Sequence, residues 1–478
     1  MSLDLLSVEN QDILRLEAVT VRFFWDAAAT PHVAILATPG MGHLIPMVEL
    51  AKRLAARHGA TATLFTFASM ASAAQQRSVL ASLPPSVSSH PLPPVDLSDL
   101  PRDAAIETLM SAECEHSVPA LAAVLTELKK TTRLVAFVSD FFGADTFDAA
   151  RDAGLEIRRC LFTSGNLHDL ALALHLPELA EAGPKLDASG CQDAYLSRGQ
   201  TPFRRFKTGQ APLTLRWCTS PSVAAVKPMP SLSINSFDAI EAEVAMVLRH
   251  PKPGRPPVYP IGPLIRTSMS QQPRAACLEW LDKKSAGSVI YVSFGSGGVL
   301  PVEEMRELAL GLSSSSSTSC GWYGVQATMQ EGSLRLPPRR VHREDKEHRG
   351  CGTLVGPADR GVGSRGHGRV PITLRVELDV GEPVHGVPMV AWPLFAEQRM
   401  NAVVLEEGIG AAIRLPETKD KESIAAVVRE LMVGERKGAL VRAKVAEVQK
   451  AAAESLSEGG ASTAALDEVV NSWVGGML

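Results

Sequence analysis

Four short stretches of the sequence hold side chains that could do chemistry together. The first is Glu397-Gln398, an acid beside an amide, which follows the apolar run Gly386-Val-Pro-Met-Val-Ala-Trp-Pro-Leu394. A carboxylate only accepts hydrogen bonds and an amide both accepts and donates, so the pair can grip neighbouring hydroxyls of a sugar. The second is His43, after the glycine-bearing turn Thr38-Pro-Gly-Met-Gly42. An imidazole that titrates near neutrality can take a proton from a hydroxyl. The third is Asp140, which closes the apolar run Leu134–Ser139. A buried carboxylate behind a histidine orients the ring and stabilises its charged form. The plain alternatives are a helix cap for Asp140 and a surface loop for His43. The fourth is Phe294-Gly-Ser-Gly-Gly298. Its small residues let backbone N–H groups approach a pyrophosphate at a helix start, although many such loops are merely turns.

These side chains need elements to carry them. His32–Ala37 is a continuous apolar run suited to a central parallel strand, and Leu44–Arg57 has helical spacing. Strand, glycine turn and helix are the opening of a doubly wound unit, and they put His43 at the carboxyl edge of a sheet, where α/β folds bind ligands. Thr61–Phe67 reads as the next strand, Ser82–Pro101 as a Pro/Ser-rich loop, Ala104–Lys130 as helix and Phe147–Ala153 as the start of another. From 155 to 232 the pattern is irregular, and it recovers at Ser233–Phe237. Pro251–Pro263 reads as a linker. A second strand–loop–helix opening follows a short helix at Ala275–Asp282, with Ser288–Ser293 as strand and Val302–Leu312 as helix. Lys421–Trp473 is helical. The fold class expected is α/β, two Rossmann-like doubly wound domains with helices on both faces of each parallel sheet.

Composition excludes several classes. The 478 residues suffice for two large domains, and 45% hydrophobic with 21% charged residues is ordinary for a globular protein. A net charge of −4 gives no electrostatic footprint for nucleic acid. The seven cysteines have no paired metal spacing, and their odd number argues against a disulfide scaffold. No apolar run is long enough to span a membrane, and the first thirty residues lack the order of a signal peptide. A cytoplasmic monomer is expected.

The quoted motifs together resemble plant family 1 UDP-glycosyltransferases. His385 to Ala402 is similar to the end of that family's signature box. Pro39-Gly-Met-Gly-His43-Leu-Ile-Pro46 resembles its amino-terminal motif, and Val138-Ser-Asp140-Phe-Phe-Gly-Ala-Asp145 the segment with the partner acid. Tyr291 to Gly298, preceded by Trp280-Leu-Asp-Lys283, also resembles the family. The resemblance covers 31–154, 233–312 and 384–473 and looks nearest to enzymes that glucosylate phenols such as hydroquinone. It implies the two-domain GT-B arrangement with a cleft between the halves. His43 would be the general base and Asp140 its partner. Ser296, Glu397 and Gln398 would bind the donor, the glutamine going with UDP-glucose. The transfer would be inverting, with no metal and no cofactor beyond this co-substrate, because helix starts and side chains neutralise the pyrophosphate. Residues 1–30 would be an extension, 31–250 would bind a small hydrophobic hydroxylated acceptor, 251–265 would link the halves, 266–460 would hold the nucleotide sugar, and 461–478 would be a helical tail.

One part of the family pattern is missing. The signature box should begin W-A-P-Q and pass through H-C-G-W-N-S, and neither is present. Residues 313–383 carry instead a serine run and a stretch, Arg335 to Gly350, dense in charge and without helical or strand period. A disordered insertion is the ordinary explanation. A frameshift explains more. Read one base later, codons for Leu374 to Glu382 can encode C-G-W-N-S-M-L-E-S, those for Val370 to Thr373 F-L-S-H, and those for Leu354 to Ala358 S-W-A-P-Q. The missing box returns in order and without a gap, and the written frame resumes near Pro383. The expectation is that 313–383 is out of frame, that it leaves the second sheet incomplete, and that the chain as written binds UDP-sugar poorly.

Overall fold

A computed structural model describes residues 30–69, 73–101, 104, 106–154, 157–181, 231–249, 255–265, 290–294, 300–315, 322–324, 372–375, 382–394 and 398–475. The chain opens with β1 (Pro31–Leu36), α1 (Met41–His58), β2 (Thr61–Thr66), α2 (Ala73–Leu80) and β3 (Val87–Pro91). Then come α3 (Ile106–His116), α4 (Val118–Thr131), β4 (Arg133–Asp140), a 3-10 turn (Phe141–Thr146), α5 (Phe147–Asp152), β5 (Arg158–Thr163) and α6 (Leu167–Glu181). β6 (Ser231–Ile234), α7 (Ala242–Arg249) and β7 (Val258–Pro260) complete a parallel seven-stranded sheet of order β3-β2-β1-β4-β5-β6-β7. This is the doubly wound order, and it reverses between β1 and β4.

Alternation along the strands sorts the core. Val33 and Ile35 of β1 face one side, with Leu64, Ala136, Val138 and Phe162. Ala34 and Leu36 face the other, with Phe65, Phe137, Leu161 and Ile234. Period-two alternation on a sheet buried on both faces requires apolar residues at every position, which is why β1 and β4 read as unbroken apolar runs.

The second sheet is built from β8 (Ile290–Ser293), β9 (Trp322–Gly324), β10 (Ile372–Arg375), β11 (Met389–Ala391) and β12 (Ala412–Arg414), in the order β12-β11-β10-β8-β9 and parallel throughout. Numbered from its own first strand this is 5-4-3-1-2, with the switch between β8 and β10. The described helices of this half include α8 (Val302–Ser314), α9 (Gln398–Val403), which continues as a π-helical segment (Val404–Ile409), α10 (Lys421–Val433) and α11 (Lys437–Ser455).

Several expectations change. The 82–101 loop contains β3, an edge strand whose exposed Ser88, Ser89 and Pro91 are tolerated because an edge need not pair on both sides. The 104–130 helix breaks at Ser117, where Pro119 can sit only in a first turn. The 155–232 stretch is regular up to Glu181, and 182–230 lies outside the described residues. Within 313–383, β9 and β10 form, and β10 pairs with both β8 and β11. Main-chain hydrogen bonds make a ladder whatever the side chains, and Ile372, Thr373 and Leu374 are strand-compatible. The linker also gives part of itself to the first sheet, since Val258 pairs with Leu232 in β6. The expected helix at 275–282 lies outside the described residues.

The last helix, α12 (Ala461–Gly475), crosses back. Leu466, Val469, Val470 and Trp473 pack into the first sheet's core. Asp467 accepts from Arg57 Nε at 2.6 Å and Nη2 at 2.7 Å. Trp473 is 2% exposed, and its indole N–H meets no acceptor. Trp473→Ala is expected to cost about 3–5 kcal/mol in denaturant unfolding. Trp473→Phe should cost much less, because it removes a buried unpaired donor together with the lost volume. No described helix is long and apolar enough to cross a membrane.

Candidate active site

The first site residue is set by a glycine. Gly40 has φ 110° and ψ 149°, a conformation closed to residues with a Cβ, and it turns the chain from β1 straight into α1. The helix therefore begins at Met41, and His43 lies in its first turn rather than in a loop. Pro46 lies inside α1, where it has no N–H to donate to the Gly42 carbonyl.

The neighbouring strand brings the partner. Leu36 of β1 pairs with Ser139 of β4, so Asp140 stands beside the start of α1 at the sheet's reversal point. His43 Nδ1 lies 2.9 Å from Asp140 Oδ2, with the acid side chain 1% and the imidazole 20% exposed. With Nδ1–H donated to a buried carboxylate, Nε2 is the ring nitrogen able to accept a proton. The other acid oxygen, Oδ1, accepts the Phe142 N–H at 3.4 Å and caps the 3-10 turn. Asp140 therefore faces the imidazole with one oxygen and caps the turn with the other. Phe142 sets its ring edge-on to the imidazole at 5.5 Å. A Cβ on Gly143 would come within 2.5 Å of Ser139 Oγ, so only glycine lets this turn fold against the strand end.

The motif's second acid stands elsewhere. Burial pushes the Asp145 carboxyl up, helped by Glu115 and Asp148. The nearby Cys114 thiol is raised well above its ordinary value by burial and by Asp140, which makes it a poor nucleophile.

At the second sheet, Trp392 after β11 is fully buried and meets Phe294 after β8 edge-to-face at 5.8 Å. This contact ties the strand end that precedes the glycine loop to the strand end that precedes Glu397-Gln398. Gln398 starts α9, is 6% exposed, and accepts the Leu394 N–H through Oε1 at 2.9 Å. Ser296 and Glu397 lie outside the described residues.

Sequence reasoning missed the loop after β5. Ser164 Oγ lies 3.4 Å from His43 Nδ1, and Asn166 Nδ2 donates to Asn401 Oδ1 on α9 at 2.8 Å. His43 and the Gln398 helix are thus joined through one loop. A signal was present in the sequence: an apolar run at Cys160-Leu-Phe162 ends in Thr-Ser-Gly-Asn, a helix-start composition. It fell in a stretch whose irregularity farther on masked it. Phe237 and Ile240 add an apolar contact between the halves, packing with Val384, Met389 and Ala402.

Comparison with known proteins points one way. The family model described as UDP-glucoronosyl and UDP-glucosyl transferase matches residues 381–442. The chain is 36% identical to UDP-glycosyltransferase 72B3 of Arabidopsis thaliana over 476 residues, 93% of this chain and 96% of the relative. It is 34% identical to the hydroquinone glucosyltransferase of Rauvolfia serpentina, over 93% of this chain and 98% of that one. Phytolacca americana UGT2, solved with UDP-2fluoro-glucose and pterostilbene, superposes with a TM-score of 0.73 at 32% identity, over 93% of this chain and 100% of that one. An indoxyl-glucosylating UDP-glucosyltransferase of Polygonum tinctorium gives 0.74 at 33% identity, covering 93% and 99%.

Proposed function

This chain belongs to plant family 1 of the UDP-glycosyltransferases, enzymes of small plant metabolites, and on that premise we propose that its site transfers glucose from UDP-glucose to the hydroxyl of a small phenol with inversion. The observation that supports the chemistry is the His43–Asp140 pair at 2.9 Å, at the reversal point of the first sheet. In this reading Nε2 of His43 takes the proton as the acceptor oxygen attacks the anomeric carbon. The carbon–oxygen bond to UDP breaks on the opposite face, and UDP departs as the anion. Asp140 holds the ring in the right tautomer and stabilises the imidazolium.

The half from about 31 to 250 holds the acceptor and the half from about 266 to 460 holds the donor. Ser296 meets donor phosphate oxygens, and Glu397 with Gln398 grips the hexose. A relative solved with a stilbene-type phenol in place supports a phenolic acceptor here.

We also propose that 313–383 is translated out of frame. The family match starts at residue 381, and the written frame resumes near Pro383. The rival reading, a catalytically inactive member, is favoured by the same gap. One assay separates the two. UDP-glucose and hydroquinone are incubated with the chain as written and with a chain translated from the corrected frame. A β-linked monoglucoside from the corrected chain, read by mass and by anomeric coupling in NMR, is the result expected. UDP release without glucoside, or no reaction from the corrected chain, would reject the transferase reading.

A further inference from the structure

Among the described residues, the two halves meet through apolar packing and through one buried polar pair whose roles are fixed by its own surroundings. Asn166 is 1% exposed and Asn401 6%. The Oδ1 of Asn166 accepts the Asp169 N–H at 2.9 Å, capping α6 as a helix-start asparagine does. That bond decides which way the amide faces. Its Nδ2 must point outward as a donor, and it donates to Asp169 Oδ2 at 2.7 Å and to Asn401 Oδ1 at 2.8 Å.

The start of α6 is anchored independently. The Glu241 carboxylate accepts the Leu167 N–H at 3.0 Å, the His168 N–H at 3.1 Å, His168 Nδ1–H at 2.7 Å and the Ser236 hydroxyl at 2.5 Å. The loop from Thr163 to Asn166 is thus held at one end by β5 and at the other by a buried acid. A donor presented from such a loop is a fixed point. Asn401 sits one turn beyond Gln398 on α9, whose Ala402 and Val403 are buried. Apolar packing leaves a helix able to slide or roll by fractions of an ångström, whereas a buried hydrogen bond has one good geometry.

We propose that Asn166 and Asn401 are a positioning pair that fixes the distance and orientation between the base and the sugar-binding helix. Its bond sets α9, and with it Gln398, against the loop whose Ser164 lies beside the His43 ring. Neither residue touches substrate in this role. The proposal rests on the transferase reading for its purpose and not for its test.

The test follows the His43 ring in the full chain by NMR, with 13C-labelled histidine and the resonance assigned by its loss in His43→Gln. Asn401→Ala removes the acceptor. Asn166→Ser keeps a good helix cap but is too short to reach α9, and neither change alters charge. Both variants are expected to move the His43 resonance in the same direction, and the double variant no further than either alone. Lys437→Ala, which removes an exposed ion pair with Glu406 on the same half as α9, should leave it in place. A His43 resonance unmoved in both folded variants would overturn the pair. So would a shift in Asn166→Ser with none in Asn401→Ala, because the cross-half bond would then not be what acts. Absence of glucosyl transfer from every form of the chain would reject the transferase reading and leave this result standing.

Discussion

Titrated with UDP-glucose, the chain as written is expected to show no micromolar binding, and the frame-corrected chain to bind at least about a thousandfold more tightly. The position of the fault is the reason. Ligands of doubly wound sheets sit at the carboxyl ends of the strands where the order reverses, which in the second sheet is between β8 and β10. The residues that follow β10 in sequence are Val376 to Glu382, the stretch whose shifted codons can encode the remainder of H-C-G-W-N-S. On the proposed shift, the written frame supplies a strand but lacks the histidine that would stand at position 373 within it and the W-N-S side chains that would come off its end. A tryptophan to stack on uracil and a histidine and Asn-Ser pair for the phosphates are the missing contacts. Charge-assisted hydrogen bonds are worth about 1.5–3 kcal/mol each, so the loss of three removes roughly 5 kcal/mol or more. Calorimetry on both chains measures the difference. Micromolar affinity in the chain as written, or coding DNA whose +1 frame across 335–382 lacks the box, would sink the claim.

In the frame-corrected chain, His43→Ala is expected to lower kcat by about a hundredfold to ten-thousandfold, the usual range for a general base, with UDP-glucose affinity little changed. Asp140→Asn should reproduce much of that loss. An amide in place of the carboxylate can donate to Nδ1 and select the tautomer that leaves Nε2 protonated. The double variant should be scarcely worse than His43→Ala alone, because a base and its orienting acid act as one unit. The Asp140 cap on the Phe142 N–H could also be lost, so each variant needs its unfolding transition measured beside its rate. Additive losses in the double variant, or an unchanged rate in His43→Ala, would remove His43 from its assigned role.

Much of this was legible in the sequence, for reasons that differ along the chain. β1, β2 and β4 are buried on both faces, so their composition alone identifies them. His43 and Asp140 were visible as strand-end residues of that sheet. That they touch depends on the pairing of β1 with β4, which brings together positions 97 residues apart, and no local pattern encodes such a neighbour. β3 was missed because an edge strand carries little apolar signal. Asn166 and Asn401 were missed because two asparagines 235 residues apart have no sequence signature, and only the packing of the halves pairs them. The start of α1 was misplaced by three residues because Gly40 could be read as either loop or cap.

The return of α12 to the first sheet reverses the usual order of manufacture. The ribosome makes the first half early, yet four of its core side chains, Leu466, Val469, Val470 and Trp473, are translated only after the whole second half. While they remain inside the exit tunnel, the nascent chain carries an open apolar trough beside β4 and β7. The half that is synthesised first is therefore completed only after the second has been made, and until then it is a natural client for chaperones.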